Sequence, residues 1–478
     1  MSKNVKKNLL YNLIYQVITV VIPLMTIPYI SRVIGANGIG ISSYTNSIVQ
    51  YFIICGTIGI SLYGNRQIAY VRQDKNKLCI TFFSIFLLKM ATTGLALLVY
   101  ILIFIHANEY KNIFLIQSLN ILAAMIDISW LYMGLEDFEK IVTINIFVRI
   151  IGVISIFLFV KDINDIYIYI LINACMTILG NLSMWIYIPK KIKKVKIGVE
   201  DILVHIKPAL ILFIPQIATQ IYLVLDRSML GFLTNTEQVG LYQQSQNMIK
   251  MVLGLVTSLG VVMLPRMSNI FASGNTEKLK ENLNKCLMGV SYVSIPMAFG
   301  LASISLKFVP WFFGKGFNEV SYLIIISVPI LFFIAISNVL GVQYLLPINK
   351  NKEFTISVTI GAVVNLICNI ILIPHYRAIG TCIATVLAEF SVTTVQYVFV
   401  YKEVDIKLLV KSIIKYLISG IIMLSVVLII GMFMSSNVIT TLFQCISGIV
   451  VYFIILIILK DEMNELVINF ILEKLIKH

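Results

Sequence analysis

Residues 8–50 read NLLYNLIYQVITVVIPLMTIPYISRVIGANGIGISSYTNSIVQ, and this stretch decides the architecture. It is a long apolar run broken by Pro23 and Pro28, followed by the cation Arg32, a Gly-containing turn and then Gly40-Ile-Ser-Ser-Tyr-Thr-Asn-Ser-Ile. A helix needs about 20 mostly apolar residues to cross the hydrocarbon core of a bilayer, and the run is long enough to do so. About 200 residues later the pattern returns as an apolar run with Pro208 and Pro215, the pair Asp226-Arg227, a polar turn, and Gly240-Leu-Tyr-Gln-Gln-Ser-Gln-Asn-Met. The repetition predicts one helical unit used twice.

The rest of the chain has the same character. Of 478 residues, 59% are hydrophobic and 13% charged, with a mean hydropathy of +0.93, far from the balance of a soluble domain. The expected fold class is an all-α integral membrane protein. Apolar windows bounded by charged or Gly/Pro-rich breaks predict fourteen transmembrane helices, near 9–31, 40–63, 79–105, 113–134, 141–160, 166–189, 208–231, 239–264, 285–306, 321–346, 354–373, 379–400, 411–433 and 438–459. The connections are short and leave no room for a soluble domain. Lys3, Lys6 and Lys7 precede an apolar run that reaches about Ile30 without a small-residue cleavage site, so the start reads as an uncleaved first span.

The cations test the count independently. With a cytoplasmic N-terminus, 27 of the 37 Lys and Arg fall on the inner side, six fall outside (Arg32, Lys111, Lys161, Lys307, Lys315, Arg377) and four lie within spans. That asymmetry is the positive-inside pattern, and it predicts that both termini are cytoplasmic. The net charge of +14 then reads as topology fixing, with no nucleic-acid partner. Richness in Ile, Lys and Asn points to an AT-rich bacterial genome, and the expected location is a bacterial cytoplasmic membrane. The seven cysteines form no CxxC pair, which predicts neither a metal site nor a disulfide framework.

Six spans per copy put the second copy in the same orientation as the first, a parallel pseudo-two-fold repeat. The expected lobes are residues 1–200 (spans one to six) and 201–405 (spans seven to twelve). Residues 406–478 add spans thirteen and fourteen and a cytoplasmic tail. Two-lobed proteins of this kind bind substrate between the lobes near mid-membrane.

An ionisable group at mid-membrane costs on the order of 3 kcal/mol on insertion scales and persists mainly beside a partner or water. The candidates are Lys89, Asp127 and Arg149 on spans three, four and five, Asp226 and Arg227 on span seven, Lys250 on span eight and Glu389 on span twelve, with Arg32 at the outer end of span one. Lys89, Asp127 and Arg149 admit two readings, a neutralising structural network or direct substrate contact. Arg32 and Arg227 either oppose each other across the lobe interface or snorkel to the outer headgroups. Lys250, far from either boundary, reads as a cavity cation. Glu389 reads as a coupling carboxylate for H+ or Na+ or as a neutral packing acid, and Asp127 and Asp226 are the other candidate coupling carboxylates. Span eight also carries the run Gln243, Gln244, Ser245, Gln246 and Asn247, while Asn365 and Asn369 share a face of span eleven. Such amides bind helices together; beside Tyr44, Tyr222 and Tyr242 they would also suit a cavity that accepts sugar. No P-loop or HExxH motif is present, and the four histidines lie at helix ends or the terminus. The expectation is a transporter without a cofactor, not an enzyme.

Tyr11-Asn-Leu-Ile-Tyr, Ile27-Pro-Tyr-Ile-Ser-Arg-Val-Ile-Gly-Ala-Asn-Gly-Ile-Gly and Gly59-Ile-Ser-Leu-Tyr-Gly-Asn-Arg resemble the Wzx-type polysaccharide flippases of the multidrug/oligosaccharidyl-lipid/polysaccharide exporter superfamily. The resemblance implies a secondary transporter that moves undecaprenyl-pyrophosphate-linked oligosaccharide from the inner to the outer leaflet for capsule, exopolysaccharide or O-antigen synthesis. It also implies alternating access around a cationic cavity, with Arg32 in the matching motif and Arg149, Arg227 and Lys250 assigned by position alone; Lys89 joins these candidate cavity cations from its place in span three. Membrane lipids, a coupling ion, and the polysaccharide polymerase with its assembly machinery are the implied partners. Competing readings are a lipid II or teichoic-type precursor flippase, a drug or cation antiporter of the same superfamily, which would want an acidic cavity, and a membrane polymerase or glycosyltransferase. The last would need a sizeable extracytoplasmic loop, and none is present.

Overall fold

The computed structural model describes the backbone of residues 3–188, 192–193 and 195–476, and side chains there except at 3–21, 138, 140, 214–216, 218, 219, 221–223, 258–266, 272 and 470–476. The expected features at Lys190, Lys191, Lys194 and Lys477 lie outside the described residues. The side chains of Tyr11, Pro215 and Tyr222 are likewise not described. Every described element is helical, in the order α1 (Lys3–Thr57), α2 (Ile60–Val71), α3 (Lys75–Phe104), α4 (Lys111–Ile126), α5 (Ser129–Gly134), α6 (Phe138–Phe159), α7 (Ile166–Ile186), α8 (Val199–Leu203), α9 (Ile206–Leu233) and α10 (Thr236–Ala272). There follow α11 (Thr276–Phe312), α12 (Asn318–Ser327), α13 (Pro329–Ser337), a π-helical stretch (Asn338–Leu345), α14 (Asn351–Val400), α15 (Ile406–Met432), α16 (Val438–Ile458) and α17 (Glu462–Ile476). The chain is an all-α membrane protein in which ten stretches of the described residues are long and apolar enough to cross a bilayer.

Two of those stretches, Ile22–Val71 and Asn351–Val400, are 50 residues long, about 75 Å at the helical rise and far more than a hydrocarbon core of about 30 Å. Neither is one continuous helix. The first turns at Ile58–Gly59 between α1 and α2, and within α1 it breaks at Gly35, with φ 69° and ψ 179°, a conformation that glycine reaches without the Cβ clash other residues meet. In α14 the break is Arg377, at φ 51° and ψ −130°. The amide that follows it, Ala378 N, is satisfied by the side-chain oxygen of Gln238 on α10. Pro23 and Pro28, expected to break the first apolar run, instead remain inside helical backbone. Membrane helices tolerate proline where neighbouring groups take up the freed carbonyls.

The chain forms two compact units, Met1–Phe232 and Leu233–His478. The core of the first is an aromatic cluster on α2, α3, α5 and α7. Phe82 packs against Phe83, Trp130 and Trp185, and Phe86 meets Trp185 edge-on. α2 lies against α5 closely enough that a Cβ on Gly64 would stand 2.5 Å from the Trp130 ring, so only a bare Cα fits. In the second unit α11 is the central helix. Its Tyr292 hydroxyl donates to Asn464 Oδ1 on α17, and Tyr452 of α16 donates to the Tyr292 carbonyl. Both tyrosines belong to one apolar cluster with Tyr416, Met423, Val427 and Leu456.

α9 meets the first two helices near both of its ends. Tyr51 and Ser228 share a hydrogen bond of 2.6 Å, and Tyr44 packs against Gly231. At the other end the Tyr63 hydroxyl meets Nδ1 of His205, the residue before α9, at 2.7 Å. Burial holds the pKa of His205 below the usual imidazole value, with Asp201 opposing the shift. The unfolded chain therefore binds that proton more readily than the folded one. Stability from neutral His205 is present above the ordinary imidazole pKa and is lost as pH falls through the lowered value. The purified protein is expected to melt several degrees lower at about pH 5 than at about pH 7.5, and His205→Gln to remove part of that difference. An unaltered pH dependence in the variant would contradict this assignment.

Candidate functional site

A cavity of about 570 Å³ opens inside the first unit, and helical periodicity explains its lining. α1 contributes Ser42, Asn46, Gln50, Ile53 and Thr57, spaced three or four apart and so on one face. α7 contributes Tyr169, Asn173, Thr177 and Asn181 at strict four-residue spacing, and α4 contributes Gln117, Asn120 and Ala124. These are apolar spans, each with a single polar stripe, and the stripes converge. The amides partly hold one another: Asn120 Nδ2 donates to Gln117 Oε1 at 2.6 Å, and Gln117 Nε2 donates to Thr45 Oγ1 at 3.2 Å.

Lys89 and Asp127 both line this cavity. Lys89 is 1% exposed, and its ammonium donates to the Asp127 carboxylate at 3.1 Å and to the Asp127 backbone carbonyl at 2.8 Å. The second bond exists because the helix stops there. α4 ends at Ile126, Asp127 is extended (φ −65°, ψ 126°), and α5 resumes after the Asp127 side chain has accepted the Ser129 amide at 3.0 Å. The carbonyls freed by the break are taken by side chains on neighbouring helices. Asn181 Nδ2 donates to Ala123 O and Trp185 Nε1 to Ile126 O, each at 2.8 Å. Lys89, itself buried, thus neutralises a half-buried carboxylate and caps a helix end within the span.

The remaining sequence candidates are dispersed. Arg149 is exposed on α6 and does not line the cavity, so the structure joins two members of the expected triad of charges. Arg32 is exposed three residues before the Gly35 break. Asp226 is buried and Arg227 half-buried on α9, next to Ser228 and its bond to Tyr51. Lys250 is exposed on α10, and Glu389 is buried on α14. The amide run on α10 is largely cross-linked: Gln246 Nε2 reaches Ser327 Oγ at 3.3 Å, Gln243 Nε2 reaches Asn247 Oδ1 at 2.8 Å, and Tyr242 pairs with Thr385 at 3.2 Å. Tyr44, expected beside a cavity, fills a helix contact against Gly231.

A second concavity, of about 430 Å³, lies in the second unit on α10, α11, α15 and α16. Val252, Leu255, Pro296, Met297, Ile304, Met423 and Ile449 line it, with Gln444 and Ser303 among its few polar groups. Among the described residues no three His, Cys, Asp or Glu side chains gather as metal ligands. Sequence reading missed both the stripe Asn173, Thr177, Asn181 and its partner Asn46, Gln50. The signal was there, as polar residues four apart in otherwise apolar windows.

Comparison with known proteins gives these sites a family. The chain is 24% identical over 388 residues to the Escherichia coli (strain K12) protein named "Putative O-antigen transporter", covering 80% of this chain and 92% of that one. It is 28% identical over 185 residues to the lipid II flippase MurJ of Bacillus subtilis (strain 168), which is 37% of this chain and 34% of that one. A solved structure of lipid II flippase MurJ in an inward closed conformation aligns with a TM-score of 0.73 at 20% identity, over 95% of this chain and all of the other. An inward-facing multidrug resistance MATE transporter of the MOP superfamily aligns at 0.56 and 12%, over 82% of this chain and 99% of the other. At such identities the structures speak for the fold alone, an all-helical transporter fold. Residues 5–271, which include all three motifs quoted above, match the family described as "Polysaccharide biosynthesis protein", and the chain belongs to that family.

Proposed function

We infer that the protein flips lipid-linked oligosaccharide from the inner to the outer leaflet of a bacterial cytoplasmic membrane, as a Wzx-type secondary transporter of the exporter superfamily. The observation that carries this reading is the pairing, in one chain of the polysaccharide biosynthesis family, of a polar amide-lined cavity with an apolar groove. Sugars suit a surface of the first kind and a polyprenyl chain one of the second. A drug cation needs neither the amides nor a neutralised carboxylate. Supporting the membrane placement, the fourteen apolar windows lie mostly on helix among the described residues, and the 27 to six division of cations favours fourteen crossings with both termini cytoplasmic. The lobes are assigned as 1–200 and 201–405, with residues 406–478 appended. Capsule, exopolysaccharide or O-antigen assembly is the pathway class, and a polymerase its downstream partner. A lipid II or teichoic-type precursor flippase is the second reading, favoured by the MurJ-like fold.

In this reading Arg32, Arg149, Arg227 and Lys250 draw the pyrophosphate, and Glu389, Asp226 and Asp127 are the carboxylates available to couple H+ or Na+. No chemistry is performed on the cargo. Depletion of the protein, followed by a leaflet-resolved assay of lipid-linked oligosaccharide, should trap the oligosaccharide in the inner leaflet; unchanged distribution would reject the flippase reading. Complementation with Arg227→Ala or Lys250→Ala should restore a folded, inserted protein without flipping, and full flipping by both would make these cations structural. Lys89→Ala leaves a half-buried carboxylate without its cation, a change expected to destabilise by about 1.5–3 kcal/mol and to be read as lost expression and a lowered melting temperature. Replacing both partners, Lys89→Met with Asp127→Leu, should recover most of that stability. A double variant no more stable than the single one would show that the carbonyl cap matters more than the charge pair. Glu389→Gln should assemble normally and lose gradient-driven transport, and unchanged ion dependence would exclude it from coupling.

A further inference from the structure

The occupant of the cavity in the first unit follows from its charge. Lys89 and Asp127 are the charged groups in its lining, and they neutralise each other at 3.1 Å. A pyrophosphate entering there would have to separate an ion pair whose ammonium is buried to find its cation, and a metal ion or drug cation would have to do the same to find its carboxylate. The rest of the polar wall is amide and hydroxyl. Each amide presents donors and an acceptor together, the complement of a sugar hydroxyl, which both gives and takes a hydrogen bond. Gln50 and Ser61 make no hydrogen bond within the protein among the described residues. The Tyr169 ring on the same wall offers a flat apolar face for the carbon face of a pyranose. The volume of about 570 Å³ lies within the roughly 300–1,000 Å³ of sites that enclose a drug-sized molecule, which suits one or two sugar rings and excludes a whole repeat unit with its lipid.

We propose that this cavity is a glycan subsite: it seats one or two uncharged sugar residues of the cargo, and the pyrophosphate binds elsewhere. The subsite rests on the flippase reading and adds to it a division of labour. Cations recognise the part that every lipid-linked cargo shares, and the amide-lined cavity recognises the part that distinguishes one glycan from another. Lys89 acts here as a positioning residue, holding the broken span so that the amides of α4 and α7 face the same space.

The test uses the full chain in lipid nanodiscs and three probes: undecaprenyl pyrophosphate, and the same lipid carrying one N-acetylglucosamine or one galactose. The wild-type protein should bind at least one sugar-bearing probe about tenfold more tightly than the bare lipid. Gln50→Leu should reduce that preference about three- to tenfold, the effect of one lost hydrogen bond, and Asn120→Leu should do likewise. Gln50→Leu is the decisive variant, since its amide holds no other helix and its loss leaves the bundle intact. Equal affinity of the wild type for all three probes, or an undiminished sugar preference in Gln50→Leu, overturns the subsite while leaving the flippase reading standing. Failure of the wild type to bind any of the three overturns both.

Discussion

In hydrocarbon an unpaired backbone carbonyl has no water to turn to, and each one left bare costs several kcal/mol. The break in the fourth span frees three in close succession, at Ala123, Ile126 and Asp127, and the first unit is arranged to receive them. Asn181 and Trp185 come from α7 and Lys89 from α3, so three helices are fixed in register by the needs of one interrupted helix. The carboxylate at the break then requires a cation, and the cation requires burial among polar neighbours. The cavity is the space left where these requirements meet.

Interruptions elsewhere are met in the same way with different chemistry. At Gly35 the residue type itself removes the strain, whereas at Arg377 a side chain in a glycine-like conformation is tolerated because Gln238 receives the next amide. The π-helical stretch Asn338–Leu345 carries its own side-chain bond, from Gln343 Nε2 to Asn338 Oδ1 at 3.0 Å, beside the five-residue backbone bond from Leu346 N to Gly341 O at 3.1 Å. Polar side chains in these spans are therefore of two kinds. Most, such as Gln246 on Ser327 and Asn369 on Asn365, close a contact between or along helices. A minority, gathered on single stripes of α1, α4 and α7, face open volume.

Hydropathy made the helices legible, since membrane thickness imposes a length on every crossing and leaves few alternatives to a helix. The turn after Arg32 was legible too, through its glycine. Two things were not. The break at Asp127 has neither proline nor glycine to announce it; its one local mark is an aspartate two residues before a serine, a common turn signal that acquires meaning only once Lys89 is opposite. The polar stripes were hidden for a related reason. A window average records how many polar residues a span holds and discards the angle at which they stand, so Asn173, Thr177 and Asn181 vanish into a mean that is still apolar. The ionisable residues Lys89 and Asp127 stood out individually, but their pairing is a property of three-dimensional packing.

The pairing of Lys89 with Asp127 bears on how the chain enters the membrane. Span three emerges from the ribosome carrying a lysine at mid-depth and span four an aspartate, and each alone would meet a penalty of about 2.5–3.5 kcal/mol on leaving the translocon for lipid. The two spans are consecutive, joined by a short connection from Phe104 to Lys111, and their charges annul each other at 3.1 Å. Released together as a hairpin, they present lipid with a neutral, internally bonded surface. The same bond that shapes the cavity would thus lower the cost of inserting α3 and α4 together relative to inserting either alone.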